Sequence, residues 1–287
     1  MSVAGGKSRK LRPGVSIKRH IILTVICVAV SIAAIVTVLY ICGIRYVKYQ
    51  FDNGITVTFL GITDVSGYPK RGRIKYGGSD EVKGLTAEAN TENGTIEYSN
   101  GDVYEGEIAK LVRHGQGKLT YADGSVYEGQ FRADRPDGVG KLTYSSGDVY
   151  EGEFSNGLRN GQGKYTFADG SVYEGGFLDD LKDGDGVYTW TDGSSYTGSY
   201  KADAKEGNGK YTYSNGDVYE GGFSNDERSG NGTYTWANGE KYTGEFKNNT
   251  LWGSGVYTWP SGRTYTGYFK DGLIVEAQSD GDTSPTA

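Results

Sequence analysis

Residues 115–131 read GQGKLTYADGSVYEGQF, and residues 161–177 read GQGKYTFADGSVYEGGF. Each stretch sets two short runs of β-branched and aromatic residues on either side of Ala-Asp-Gly. That is a strong hairpin signal, because glycine takes the positive φ that a tight loop demands. The unit recurs along most of the chain. Tyr104, Tyr127, Tyr150, Tyr173, Tyr196, Tyr219, Tyr242 and Tyr265 are each 23 residues apart. A glycine follows two positions later, at Gly106, Gly129, Gly152, Gly175, Gly198, Gly221, Gly244 and Gly267. Two further on stands Ile108, Phe131, Phe154, Phe177, Tyr200, Phe223, Phe246 or Phe269. A fixed period of this size marks a repeat architecture in which each unit buries its apolar face against its neighbours.

The repeats also choose their own strand register. A two-residue loop would set Leu119 opposite Glu128, whereas a three-residue loop closing on Gly124 sets Lys118 opposite Glu128 and Leu119 opposite Tyr127. Lys118, Lys141, Lys164 and Lys210 accompany Glu128, Glu151, Glu174 and Glu220, while Val187, Thr233 and Val256 accompany Thr197, Thr243 and Thr266. Ion pairs and β-branched pairs are the partners expected directly across two strands, so the three-residue loop is chosen. Lys118, Thr120, Val126 and Glu128 then share one face, Leu119, Tyr121, Tyr127 and Phe131 share the other, and Gly117 lies opposite Gly129.

The YxGxF…GxGxxxY…G pattern resembles the MORN (membrane occupation and recognition nexus) repeat, over about residues 94–272. The resemblance implies an all-β fold, an elongated single-layer antiparallel sheet of 23-residue hairpins. It also implies scaffolding, dimerisation or lipid-proximal roles without catalysis by the repeats. Residues 72–85, GRIKYGGSDEVKGL, align with 94–107, GTIEYSNGDVYEGE, so 45–93 is read as a linker with a degenerate capping repeat, and a further hairpin is expected around Asp52-Asn53-Gly54. Residues 273–287 are read as a disordered tail.

Residues 21–44, IILTVICVAVSIAAIVTVLYICGI, carry no charge. At about 1.5 Å per residue such a helix is long enough to span a bilayer. Its bulky end argues against a cleaved leader, which would have a shorter apolar core and a small-x-small site. Lys7, Arg9, Lys10, Arg12, Lys18 and Arg19 precede it, and only Arg45 and Lys48 follow closely. The positive-inside rule then places a basic arm, residues 1–20, in the cytoplasm and the repeats outside.

Net charge divides along the same line. Residues 1–45 hold seven basic side chains and no acid, and the remainder holds 23 basic against 36 acidic, a balance of −13. No nucleic-acid partner is expected of such a domain. The two cysteines, Cys27 and Cys42, lie in the apolar segment, so the repeats hold no thiolate. No cofactor, metal or catalytic residue is expected: Glu105, Glu128, Glu151, Glu174 and Glu220 are equivalent repeat positions, and a catalytic carboxylate should be singular. His114 reads as a solvated loop residue. Arg113, Arg159, Lys182, Lys205 and Arg228 each stand nine after a repeat tyrosine and read as solvated loop charge along one edge.

Function is sought where repetition breaks. Trp190, Trp236 and Trp259 replace the usual Tyr or Phe, and Trp252 stands in a stretch that is polar in other repeats, read as a loop. Tryptophan dominates interface hot spots, so these four are the expected partner-binding residues. The expectation is a non-enzymatic, single-pass membrane scaffold or adaptor whose outer surface binds a protein or an envelope glycan, with self-association as a further expectation. The alternative is a membrane-surface organiser that contacts lipid headgroups through repeat loops.

Overall fold

The computed structural model describes residues 13–51, 54–78 and 84–275, and the chain divides into two compact units, 1–99 and 100–287. Most of the basic arm, the Asp52-Asn53 pair and residues 276–287 lie outside the described residues.

The first unit opens with helix α1 (Pro13–Ile41). The helix stops short of residue 44, because Gly43 turns the chain at φ 72° and donates to the Tyr40 carbonyl at 3.1 Å, a common glycine stop. Its stretch Thr24–Ile41 has a mean hydropathy of 2.6 and is unburied, so it is long and apolar enough to cross a membrane.

Residues 45–93 are more than a linker. Strands β1 (Ile44–Gln50), β2 (Thr56–Thr63), β3 (Pro69–Gly77), β4 (Thr86–Asn90) and β5 (Thr95–Tyr98) pair in sequence as an antiparallel sheet. One face buries Val57, Phe59, Ile74, Tyr76, Ala87, Ala89, Ile96 and Tyr98. Alternation over these strands supplies a one-sided core, and the pairing of β1 with β2 forms the hairpin expected on either side of Asp52-Asn53-Gly54.

In the second unit β6 (Val103–Ala109), β7 (Val112–Thr120), β8 (Val126–Arg132) and β9 (Arg135–Thr143) begin an unbroken antiparallel succession. It runs on through 149–247 to β19 (Thr250–Thr258), β20 (Thr264–Lys270) and β21 (Leu273–Val275). Leu273–Val275, expected in the tail, thus forms the last strand. The three-residue loop is present as expected. Lys118 faces Glu128, Leu119 faces Tyr127 and Gly117 faces Gly129, while Tyr121 N–H bonds Ser125 O at 2.9 Å and Gly124 takes φ 90°.

A second connection alternates with it. Successive repeats are joined by two-residue turns with both residues at positive φ, such as Ala133 and Asp134 at 48° and 73°, or Asn248 and Asn249 at 47° and 65°. This primed turn matches the twist of the strands, and Asp and Asn tolerate it better than most residues.

The core is a chain of rings. Each repeat tyrosine from Tyr104 to Tyr242 is fully buried, edge-on to the Phe or Tyr four residues after the next repeat tyrosine. Tyr127 meets Phe154 at 5.0 Å, Tyr150 meets Phe177 at 5.0 Å and Tyr173 meets Tyr200 at 5.2 Å between centroids. Its hydroxyl donates to the carbonyl three residues on, as Tyr150 does to Glu153 at 2.9 Å, so no buried phenol is left unsatisfied by its burial.

Candidate functional site

The repeat array presents two faces of different chemistry. The ladder face carries Lys118, Glu128, Lys141 and Glu151 in successive cross-strand positions. Lys118 Nζ lies 3.4 Å from Glu128 and Lys141 Nζ 2.8 Å from Glu151. Salt bridging to Lys141 holds the Glu151 carboxyl below its ordinary range. These charges answer one another along the ladder.

The ring face is different. Outside the buried tyrosines runs a second aromatic file: Tyr144, Tyr165, Phe167, Tyr188, Trp190, Tyr211, Tyr213, Tyr234, Trp236, Tyr257 and Trp259, each tilted against the next at 4.4–6.0 Å. Apart from buried Tyr234, these rings are partly buried, each keeping a minor part of its surface exposed. The file alternates between the residue that opens a three-residue loop, such as Phe167 or Trp190, and a strand residue two positions before the next loop opening, such as Tyr188 or Tyr211, which is why its spacing alternates between two residues within a repeat and 21 between repeats.

The expected tryptophans are therefore only partly gathered. Trp190 lies between Tyr188 at 4.4 Å and Tyr211 at 5.2 Å, Trp236 between Tyr234 at 4.7 Å and Tyr257 at 5.5 Å, and Trp259 against Tyr257 at 5.0 Å. All three belong to the file. Trp252 does not. It lies in β19 opposite Glu245, not in a loop, with Lys247 Nζ 4.6 Å from its ring centre. The two-residue Asn248-Asn249 turn is so short that the strand has begun by residue 250.

The five periodic cations are not solvated loop charge. All lie in strands and are pressed onto the ring face. Arg159 lies 5.2 Å from the Tyr165 ring centre and 5.3 Å from that of Phe177, and Lys205 Nζ lies 5.4 Å from that of Tyr211. Each of the first four is bound by the turn aspartate of the following repeat. Arg113 Nε donates to Asp134 at 2.8 Å and Arg159 Nε to Asp180 at 3.0 Å, while Lys182 and Lys205 lie 3.9 and 3.6 Å from Asp203 and Asp226. The same carboxylates accept the cations' own backbone N–H groups at 2.9–3.1 Å. Burial lowers the Lys182 ammonium pKa despite Asp203. At Arg228 the partner is Asn249, and buried Nε is left without a hydrogen bond. His114 likewise lies within β7, where its carbonyl accepts from Tyr104 Oη at 3.2 Å.

At the other end of the hairpins, Asp148 and Asp217 tie adjacent loops together. Asp217 accepts from Tyr234 Oη at 2.7 Å and from Ala237 N at 2.8 Å, and donation by Tyr234 lowers its pKa. Between the cation row and the file lies a recess of about 320 Å³ lined by Arg159, Tyr165, Phe167, Tyr173, Phe177, Asp180, Lys182 and Asp203. Partly exposed rings beside desolvated cations can hold an apolar or aromatic segment and direct acceptors to its edge.

The profile of the MORN repeat matches residues 104–126, 127–149, 150–172, 173–195, 196–218, 219–241 and 242–262. No curated protein matches the chain in sequence. Among solved structures, one titled SAS-4 (dCPAP) TCP domain in complex with a proline rich motif of Ana2 (dSTIL) of Drosophila melanogaster is 17% identical, with a TM-score of 0.34. The match covers 58% of this chain and 95% of that one. A streptogramin B lyase structure is 11% identical at a TM-score of 0.17, covering 80% of this chain and 84% of the other. Likenesses this weak carry no argument.

Proposed function

Starting from the premise that this chain belongs to the MORN repeat family, we propose that it is a non-catalytic, membrane-anchored scaffold whose repeats bind a partner protein on the ring face. The observation that carries this is the partly exposed aromatic file. A monomer gains little by leaving so continuous an apolar stripe against water, whereas a partner segment laid along it would bury Trp190, Tyr211 and Trp236 together. The family commonly mediates protein or membrane binding, which agrees with this reading. The ladder face is a poorer candidate, because its Lys118 and Lys141 are already paired with Glu128 and Glu151 and it carries no continuous run of rings.

Anchoring rests on the apolar stretch of α1, and sidedness on the six cations before residue 21 against two closely after residue 44. A cysteine introduced at Ser279 should react with an impermeant maleimide on intact cells. Reaction only after lysis would put the repeats in the cytoplasm.

The binding face is tested with a photo-crosslinking residue replacing Tyr211 in the full chain. It should capture a discrete partner, and Trp190→Ala with Trp236→Ala should lower that capture about tenfold or more, equivalent to about 1.4 kcal/mol. Undiminished capture, or equal capture from a probe at Lys164 on the ladder face, would remove the aromatic file from the interface.

A further inference from the structure

The first unit carries a surface that the repeats do not explain. The exposed face of its sheet changes character along the strands. In the row nearest α1, Ile44 faces Ile62 and Ile62 faces Arg71. The next row sets Tyr46 beside Leu60 and Arg73, and the one after it sets Lys48 beside Thr58 and Lys75. Tyr46, Leu60 and Ile62 are 66%, 57% and 48% exposed, so three large apolar side chains on one face meet solvent while the opposite face holds the core. The apolar end of this gradient is the end at which the helix enters.

That end is held close to the helix. Only Cys42 and Gly43 separate α1 from β1. The Gly43 carbonyl accepts from Thr63 N at 2.9 Å and from Thr63 Oγ1 at 3.2 Å, which pins the end of β2 beside the helix terminus. The β2–β3 turn begins at the next residue. In it Asp64 Oδ1 accepts from Ser66 N, Ser66 Oγ and Tyr68 N at 2.9, 2.6 and 2.8 Å, and these bonds hold its carboxyl below the usual range. This hydrogen-bonded turn leaves Val65 fully exposed and Tyr68 42% exposed. Val65 lies two residues from the Gly43 contact, a chain reach of at most about 7 Å.

We propose that the first unit is itself a membrane-contacting element, with Val65, Tyr68 and the Tyr46–Leu60–Ile62 patch seated in the headgroup layer of the bilayer that α1 crosses. The proposal rests on the reading that α1 spans. Two features favour lipid over a protein partner. A partner of fixed shape requires no polarity gradient, whereas an interface imposes one: apolar groups deepest, aromatic hydroxyls at the boundary, cations behind. Lys48 and Lys75 stand two rows back from the helix on this face, while Arg71 and Arg73, with Glu88 as the partner of Arg73 at 3.0 Å, stand in the nearer rows, from which their long side chains can reach headgroup phosphates. This contact is separate from any made by the repeats.

The test uses the full chain carrying Cys27→Ser and Cys42→Ser in phosphatidylcholine–phosphatidylglycerol nanodiscs. A nitroxide is placed in turn at Val65→Cys, at Lys75→Cys on the third row of the same face, and at Val30→Cys within α1. Accessibility to oxygen, which concentrates in lipid, is compared with accessibility to a water-soluble nickel chelate. An oxygen-to-nickel ratio at least about threefold higher at 65 than at 75 is expected for a side chain at interfacial depth, with a higher ratio still at 30. A lipid-like ratio at 30 with an aqueous one at 65 overturns the proposal and leaves the spanning helix intact. Low access to both reagents at 65 means a protein surface, such as a second copy, occupies the patch, and also overturns it. An aqueous ratio at 30 removes the spanning reading and this proposal with it.

Discussion

Raising the pH from about 9 to about 12 should unfold the repeat array in one steep step, because the ordinary tyrosine pKa of about 10 lies inside that range. Burial of the rings pushes Tyr104, Tyr150, Tyr173, Tyr196, Tyr219 and Tyr242 up to about 12. Tyr127 is raised further for the same reason. A phenol with a raised folded pKa keeps its proton when the unfolded chain has lost it. Its contribution is therefore complete below the unfolded pKa and is lost as pH rises through the folded one.

Each tyrosine gives a slope of up to about 1.4 kcal/mol per pH unit, diminished where water reaches the ring edge. At half that slope, six remove about 4 kcal/mol per pH unit, against a total domain stability of about 5–15 kcal/mol. The buried rings' share of the tyrosinate absorbance and the far-ultraviolet circular dichroism, followed together, should change in a single coincident transition above about pH 10. Independent titration near the ordinary value with the dichroism unchanged would mean that the phenols are not buried as described.

The same arithmetic runs the other way in acid, with smaller consequences. Asp148, Asp192 and Asp217 are held below their ordinary range by hydrogen bonds, the largest being those from Ala168 N, Ser194 Oγ and Tyr234 Oη respectively. Their contribution is present above about pH 4 and lost as the pH falls through the lowered values. Three lowered carboxylates, of which only Asp217 is buried, weigh less than the seven buried phenols, so the alkaline transition should be the sharper one.

The hairpin register was legible because the repeats act as their own comparison set. Lys118 with Glu128 and Thr233 with Thr243 name the loop length, and the structure pairs both as expected. A second set of paired positions was equally present and went unread. Arg113, Arg159, Lys182 and Lys205 accompany Asp134, Asp180, Asp203 and Asp226, while Pro136 and Leu251 accompany Gly157 and Gly272. The turn aspartate appears only where there is a cation to hold, and Asn249 goes with Arg228. Its members lie 21 residues apart, in consecutive repeats, whereas partners across one hairpin are about ten residues apart, so the pairing shows only when consecutive repeats are set side by side.

Other features had no repeat to speak for them. The sheet over 44–98 lacks the tyrosine period, so the likeness of 72–85 to 94–107 and the Asp52-Asn53-Gly54 hairpin signal announce only parts of it. The outer aromatic file was visible as individual Tyr, Phe and Trp substitutions. Its continuity depends on loop residues of one repeat coming to lie against strand residues of the next, a consequence of packing that composition does not reveal.

Gly163→Ala should be among the most damaging single substitutions in the protein, although it adds only one methyl group. The new Cβ would lie 2.4 Å from Tyr150 Cε2 and Oη and 2.6 Å from Cζ. The ring cannot retreat. Phe154 and Phe177 meet it edge-on at 5.1 and 5.0 Å, and its hydroxyl is tied to Glu153 O. Nor can the strand easily move, because Gly163 faces Gly152, whose own Cβ position is blocked by the Tyr150 hydroxyl and the Gln162 carbonyl. The collision is steric rather than conformational, which separates it from Gly170→Ala. There φ is 94° and the nearest atom, Thr191 Cγ2, is 3.5 Å away, so backbone strain alone of about 1 kcal/mol should result. For Gly163→Ala the expected loss is about 3 kcal/mol, at the upper end of overpacking costs. In an array stabilised by nearest-neighbour contacts, that loss should uncouple the repeats on either side. Urea denaturation should then resolve into two transitions for Gly163→Ala and remain single, with a slightly lowered midpoint, for Gly170→Ala. Equal midpoints for the two variants would show that Tyr150 is not seated on Gly163, and that the glycines of the G-x-G strands are there for chain flexibility instead of to receive a ring.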